Sequence, residues 1–486
     1  MLSRITGTIA PSARTGSVCF LALLTLLLGP PRAHAQTDPG VRGGTIDAGG
    51  PLVGLSAGQL QTFPVAMANF VTARSVGGNL PGTEDGLGPR YNSNSCGSCH
   101  SQPAIGGTSP SVNQFPNIGP NPQVAVASEA GAANRIPYFI QANGPVREAR
   151  FRHVVRNGMV TGAADGGVHD LFTITGRSDA TNTAGASGNL QTCSLAQPDF
   201  DQARRANNIS FRIPTPVFGV GLMESISDAT ILANQAASAA DKQAFRISGR
   251  PNRNGNDGTI TKFGWKAQNA TALLFSGEAY SVEMGVSNEV FSVERANPGE
   301  TLPANCLFNP MPEDVSHMDP GPDTTSPYSD IQLFAIFMEL LAPPAPSVSS
   351  PGGAASIQHG AALFRDNVKC ALCHTPTLAA TNSNFVNQAN AGATANLFSD
   401  LLLHNMGDEL ADGVSQGLAG PSEFRTAPLW GLGQRIFFLH DGRTTDLVQV
   451  IRLHGDFESE ARVSVEQYQR LSVQDKQDLL NFLRSL

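Results

Sequence analysis

The sequence predicts a mainly α fold with long ordered loops, built in two parts around a repeated cysteine–histidine motif. Three observations carry that expectation. Apolar residues recur at helical spacing over 269–285, 330–341, 357–364 and 471–486. The 486 residues include 50 Gly and 33 Pro, and only 15% are charged, against ~25% in ordinary soluble proteins. A hydrophobic content of 41% still supports a real core, so the Gly and Pro belong to ordered loops and not to wholesale disorder. The third observation is the pentapeptide Cys-x-x-Cys-His, which occurs twice.

At the N-terminus, Arg4 and Arg14 precede an apolar run over 18–28, then Gly29-Pro30-Pro31 and Ala33-His34-Ala35. A charged region, a short apolar region and a small-x-small site read as a signal peptide over 1–35. The run is too short to span a bilayer, which takes about 20 residues. A soluble chain exported to the periplasm and starting at Gln36 is the expectation, with no membrane span. Lys and Arg number 32 against 40 Asp and Glu, for a net charge of −8, and no basic run appears. A nucleic-acid partner is therefore excluded, because neutralising phosphates takes clustered Lys and Arg.

Cys19 falls within the signal segment, which leaves six cysteines. Four form Cys96-Gly97-Ser98-Cys99-His100 and Cys370-Ala371-Leu372-Cys373-His374. This is the attachment signature of c-type haem: two thiols bond the porphyrin edge, and the next His becomes the proximal iron ligand. A zinc ribbon would bring its cysteine pairs much closer in sequence, and a redox Cys-x-x-Cys has no need of the His. Two covalently bound haem c groups are thus expected, held by Cys96, Cys99 and His100 and by Cys370, Cys373 and His374. Cys193 and Cys306 remain, and in an oxidising compartment they are most simply a disulfide, with buried free thiols as the alternative.

The segment 86–92 ahead of the first motif shows no obvious helix, and 101–123, rich in Pro, Gly, Ser and Asn, reads as loop. A long region, roughly 125–340, follows. In it, 269–285 reads as a helix with Leu273, Gly277, Tyr280 and Met284 along one side, and 330–341 as a second helix. The run Leu341-Ala342-Pro343-Pro344-Ala345-Pro346, with 347–353, is a linker by composition. The expected division is 36–345, an N-terminal haem domain with a large insertion, and 346–486, a C-terminal domain. In the latter a helix over 357–364 leads into Cys370 and an amphipathic helix closes the chain, the minimum parts of a small cytochrome c domain.

Two weaker patterns carry less. Gly219/Gly221 and Gly431/Gly433 lack the third Gly of a dinucleotide fingerprint. The run Asn252-Arg253-Asn254-Gly255-Asn256-Asp257-Gly258 has calcium-loop chemistry without the closing Glu, and reads first as a polar turn and second as a calcium site.

Other stretches point to a family. Asp400-Leu401-Leu402-Leu403-His404-Asn405-Met406-Gly407, Phe424-Arg425-Thr426-Ala427-Pro428-Leu429-Trp430-Gly431 and Leu439-His440-Asp441-Gly442-Arg443 resemble, in that order, the C-terminal domain of the di-haem cytochrome c peroxidase superfamily. Phe211-Arg212-Ile213-Pro214-Thr215-Pro216-Val217-Phe218-Gly219 and Phe263-Gly264-Trp265-Lys266-Ala267 are similar to its di-haem oxidoreductase branch. The resemblance implies two cytochrome c-like haem domains. The C-terminal haem would store an electron, and the N-terminal haem would cleave a small oxidant, peroxide or dioxygen. An external redox protein would supply electrons.

In that superfamily a Met downstream of the His-Asp-Gly motif is the usual sixth ligand of the C-terminal haem. His454 takes that place here. Thr445 reads as the cap of a short helix that puts Leu447, Ile451 and His454 on one face, and Gly455 ends it. A His ligand in place of Met lowers the potential. His404 and His440 read as pocket residues. For the N-terminal haem the family often places a distal His soon after the motif, and none lies between Ser101 and Arg152. The site is then open, or filled by Met223, Met284, His153 or His169. Glu224, Glu278 and Glu283 are candidate catalytic acids, because peroxide cleavage needs a group that moves a proton between the two oxygens. Trp265 and Trp430 are the only indoles, each a core residue or an electron relay. The reading is a di-haem oxidoreductase of peroxidase type. A pure electron carrier and a dioxygenase acting on an organic substrate are the alternatives.

Overall fold

Ser56 and Gln59 form a capping box: the Ser56 side chain accepts from the Gln59 amide, and the Gln59 side chain accepts from the Ser56 amide. This reciprocal pair starts the helix Ala57–Val71, which buries Phe63, Ala66 and Phe70. The structure, a computed structural model, describes residues 36–109, 119–156, 158–180, 192–307, 309–317, 327–381 and 392–486. The signal peptide expected over 1–35 and part of the loop expected over 101–123 lie outside these. Residues Gln36–Leu486 form one compact unit. None of the described helices is long and apolar enough to cross a membrane.

Three helices build the larger core. Ala57–Val71 packs on Asp330–Leu340, which packs in turn on Ala272–Glu283. Thr271 caps the last of these through the Leu274 amide, and Ser329 with Gln332 makes a second capping box. Gly277, Tyr280 and Met284 face inward as the apolar spacing predicts, whereas Leu273 is exposed. Cys193 and Cys306, both buried, form a disulfide with their Cα atoms 4.9 Å apart.

The smaller core belongs to 357–486. Helix Ala354–Ala362 continues into a π-helical turn, Leu363–Asn367, and packs on the closing helix Val473–Ser485. The contact is backbone-close at Gly360, where a Cβ would lie 2.0 Å from the Asp478 carbonyl oxygen. Only glycine fits that crossing. Phe364 then reaches Phe482, at 5.3 Å between centroids.

The expectation of a mainly α fold is corrected. Helix accounts for 33% and strand for 13% of the described residues, the strands lying in several small sheets. Most of these strands have two to four residues, too few for a period-2 alternation to show in the sequence. One sheet bears on function. Glu148–Phe151 lies between Val168–His169 and Ile209–Arg212, antiparallel to both. Glu148 pairs with Arg212, and Arg150 with Val168 and Ser210. Alternation along the pleat therefore puts Glu148, Arg150, Val168 and Arg212 on one face.

Candidate functional site: two cavities

Each Cys-x-x-Cys-His motif lines its own cavity. The first begins a one-turn helix, Cys96–Cys99, seated on the end of Ala57–Val71: Ser95 Oγ donates to the Val71 carbonyl at 3.0 Å, and Gly97 abuts Val71. The His100 amide closes on the Cys96 carbonyl at 3.0 Å, which swings the ring inward. Its Nδ1 lies 3.1 Å from the Gly107 carbonyl oxygen. A carbonyl can only accept, so Nδ1 carries the hydrogen and Nε2 keeps its lone pair. Burial holds His100 neutral, its pKa lowered to about 4. Burial also raises the thiols, Cys96 to about 12 and Cys99 to about 11.

The second motif repeats the arrangement. Lys369, in the left-handed region, turns the chain into Cys370–Leu372, and the His374 amide bonds the Cys370 carbonyl at 2.9 Å. His374 Nδ1 lies 3.0 Å from the Phe398 carbonyl, and burial lowers the ring to about pKa 4. Again Nε2 is the free nitrogen.

The two cavities differ in what else they hold. His454 lines the second, at the end of the helix Leu447–Leu453. Its Nδ1 lies 2.8 Å from the Val450 carbonyl, and burial disfavours its charged form, so it too presents a neutral Nε2. The cap of this helix is Asp446, through the Val448 amide, and not Thr445. His404 and His440 also line this cavity. Asp400 and Glu460 lie 2.9 and 2.7 Å from the two His404 nitrogens. Burial opposes charge on His404, but the Cys373 sulfur and Asp400 outweigh it and raise its pKa. An imidazolium with both nitrogens held by acids offers no lone pair. His440 stacks on Phe424 at 4.5 Å.

Among the described residues the first cavity has one imidazole, His100, and a polar wall. Arg147, Glu148, Arg150 and Arg212 come from or beside the three-stranded sheet, and Glu278, Glu283 and Met284 from the helix Ala272–Glu283 and its end. Glu283 accepts from Asn92 Nδ2 at 2.9 Å. Burial, with Glu148 adding to it, raises its pKa to about 8. Asn269 Nδ2 donates to Glu278. Glu224 is not part of the lining; it accepts from the Ala272 amide at 3.1 Å, at the start of that helix. Of the candidate sixth ligands, Met284 alone lines the first cavity. Met223 lines a small third cavity, His153 is exposed on a hairpin, and His169 is stacked on Phe151 at 3.8 Å.

Trp265 lines all three cavities. Its Nε1 donates to the Ile213 carbonyl at 2.9 Å, which fixes the indole between the two motif sites. Trp430 lines only the third.

A family model described as "Di-haem oxidoreductase, putative peroxidase" matches residues 158–486. The chain belongs to this family. The match covers the second motif and most of the long middle region, while the first motif precedes it. A search of the curated proteins finds no match. Two of the similar solved structures are as follows. A MauG-like protein associated with microbial copper homeostasis is 17% identical over 56% of this chain and 90% of its own, with a TM-score of 0.28. Hydrazine synthase from Kuenenia stuttgartiensis is 18% identical over 32% of this chain, with a TM-score of 0.22. The match spans 55% of that synthase chain.

A di-haem oxidoreductase takes two haems, and the residues present fit them. Each motif supplies two thiols and one neutral imidazole. The empty space is about 1170 Å³ in the first and about 1410 Å³ in the second, counting the open mouths. Buried guanidinium groups in both keep N–H groups unbonded, although Glu148 and Asp165 each lie 3.7 Å from Arg150. Arg435 Nε and Nη2 line the second cavity's wall and find no hydrogen-bond partner among the described residues, nor does Arg150 Nε in the first. Burial lowers Arg435 to about pKa 10. Haem propionates would satisfy such groups.

The polar run 252–258 lies outside both cavities. Asn252 Nδ2 donates to the Lys266 and Gln416 carbonyls, and Asp257 Oδ1 accepts from Thr259, so the loop's side chains bond its own and neighbouring segments. Glu148, Arg150 and Gln268 line the first cavity without any mark in the sequence. Strand pairing brings the first two there, and no local pattern marks it.

Proposed function

We propose that this di-haem oxidoreductase is an exported c-type cytochrome that reduces peroxide at the site of Cys96, Cys99 and His100. Electrons would come through the site of Cys370, Cys373 and His374. The observation that carries the reading is the asymmetry of the cavities. One pairs His374 with a second neutral imidazole, His454, while the other pairs His100 with carboxyl groups. A six-coordinate iron suits electron transfer, and an accessible iron beside an acid suits peroxide cleavage.

Haems bound there would supply the redox chemistry, with Cys96, Cys99, Cys370 and Cys373 as their thioether attachments. The chain's residues position and protonate. His100 and His374 offer Nε2, oriented by the Gly107 and Phe398 carbonyls. Glu283, protonated at neutral pH, holds a proton at the first cavity, with Asn92 fixing one carboxyl oxygen. Glu278, oriented by Asn269, is a second carboxyl group at this cavity. Trp265, which lines both cavities, would carry electrons between the two sites. The Cys193–Cys306 disulfide supports export, since such bonds persist in oxidising compartments.

The test is stopped-flow absorbance of the haem-loaded protein, half-reduced, mixed with hydrogen peroxide. The reading expects a rapid change at the N-terminal haem and turnover when an external electron donor is present. A carrier without substrate would leave both spectra unchanged.

A further inference from the structure

Tyr280 is 2% exposed, and its hydroxyl donates to Asp330 Oδ2 at 2.7 Å. The acceptor is held by other donors too. Arg74 Nη2 meets Asp330 Oδ2 at 2.7 Å, and Asn69 Nδ2 meets Oδ1 at 2.8 Å. Arg74 reaches Glu84 at 2.6 Å and stands 5.9 Å from the centre of the Tyr280 ring. Both Arg74 and Asp330 act electrostatically on Cys96, so this cluster sits next to a predicted haem attachment.

The ring of Tyr280 continues toward the proximal histidine. It meets Phe334 edge-on at 5.1 Å, Phe334 meets Phe70 at 6.1 Å, and Phe70 meets His100 at 6.0 Å. Phenylalanine is too hard to oxidise to act as a station, but packed rings without a water gap make a good tunnelling path. A tyrosine is oxidised readily only if its proton can leave at the same time. Asp330 takes that proton directly, and its side chain, 21% exposed, connects to solvent.

We infer that Tyr280 is a redox site on the proximal side of the N-terminal haem, a role that rests on the peroxide reading. After peroxide has oxidised that haem, Tyr280 gives it one electron through Phe334 and Phe70. The Tyr280 O–H bond breaks, the proton passes to Asp330 Oδ2, and a neutral phenoxyl radical remains. One electron from an external donor, with the proton returned from Asp330, restores the phenol. The Trp265 route joins the two haems, whereas this one leads away from both, toward the surface at Asp330 and Glu84.

The test is freeze-quenched EPR of the haem-loaded protein after hydrogen peroxide, with ring-deuterated tyrosine incorporated, in wild type and Tyr280→Phe. The expected result is a radical signal that narrows on tyrosine deuteration and is lost in Tyr280→Phe, with haem oxidation at its wild-type rate. Because deuteration is read in the wild type, the result does not depend on the variant's folding. If the haem reacts but the radical is insensitive to deuteration, absent, or unchanged in Tyr280→Phe, this inference is overturned and the peroxide reading stands. If the haem does not react with peroxide, both are overturned.

Discussion

His374 and His454 line the same cavity, and each has its Nδ1 beside a main-chain carbonyl, Phe398 at 3.0 Å and Val450 at 2.8 Å. Two neutral imidazoles with free Nε2 atoms are what a six-coordinate haem takes from a protein. No second imidazole lines the other cavity among the described residues. From this difference follow the expected behaviour of the two sites and most of the tests below.

Replacing His454 by Ala removes the second imidazole and leaves its helix capped by Asp446. The C-terminal haem is expected to turn from low to high spin and to change its potential, read by EPR and redox titration. An unchanged low-spin signal would point to Met406, which lines the same cavity.

Glu283→Gln keeps the shape and the Asn92 contact but removes the proton. The reaction with peroxide should slow by about 10²–10⁴-fold, the usual contribution of a general acid–base group. In the wild type the acid form is required, since the protonated carboxyl gives its proton to one peroxide oxygen while its other oxygen takes the proton from the second. That form is present below the pKa of about 8 and lost above it, so the rate should fall as pH rises through 8. A pH–rate profile of both proteins checks the assignment, and a wild-type rate flat across that range would contradict it.

Trp265→Phe should slow electron passage between the haems while leaving each haem's own spectrum in place, since the indole touches both cavities and supplies neither motif. Flash reduction of one haem, followed at the other, measures this.

Breaking the disulfide by Cys193→Ala and Cys306→Ala opens a link between residues 113 apart in sequence. The chain-entropy model assigns such a closure about 3–5 kcal/mol, which denaturant unfolding of the double variant should show. Gly360→Ala attacks the other core: its Cβ would meet the Asp478 carbonyl, and overpacking of this kind costs about 1–3 kcal/mol.

The site was legible where chemistry is local. Cys96-Gly97-Ser98-Cys99-His100 and its partner motif hold their ligands within five residues, and the His454 face follows from helical spacing. The helix Ala57–Val71 was missed although Ser56 and Gln59 spell its capping box, because Pro64 interrupts the pattern. The sheet side of the first cavity's polar wall could not be read. Glu148, Arg150 and Arg212 meet through antiparallel pairing of strands some sixty residues apart in the chain, about which local periodicity is silent. The same holds for Glu224, which looked like Glu278 and Glu283 in sequence but serves the start of a helix.

The most direct test of the asymmetry is the EPR spectrum of the fully oxidised, haem-loaded wild-type protein. The account predicts one low-spin haem, held by His374 and His454, and one high-spin haem, held by His100 alone. Two low-spin haems that stay unreactive toward peroxide in both the oxidised and half-reduced states would contradict it, and would make the protein an electron carrier.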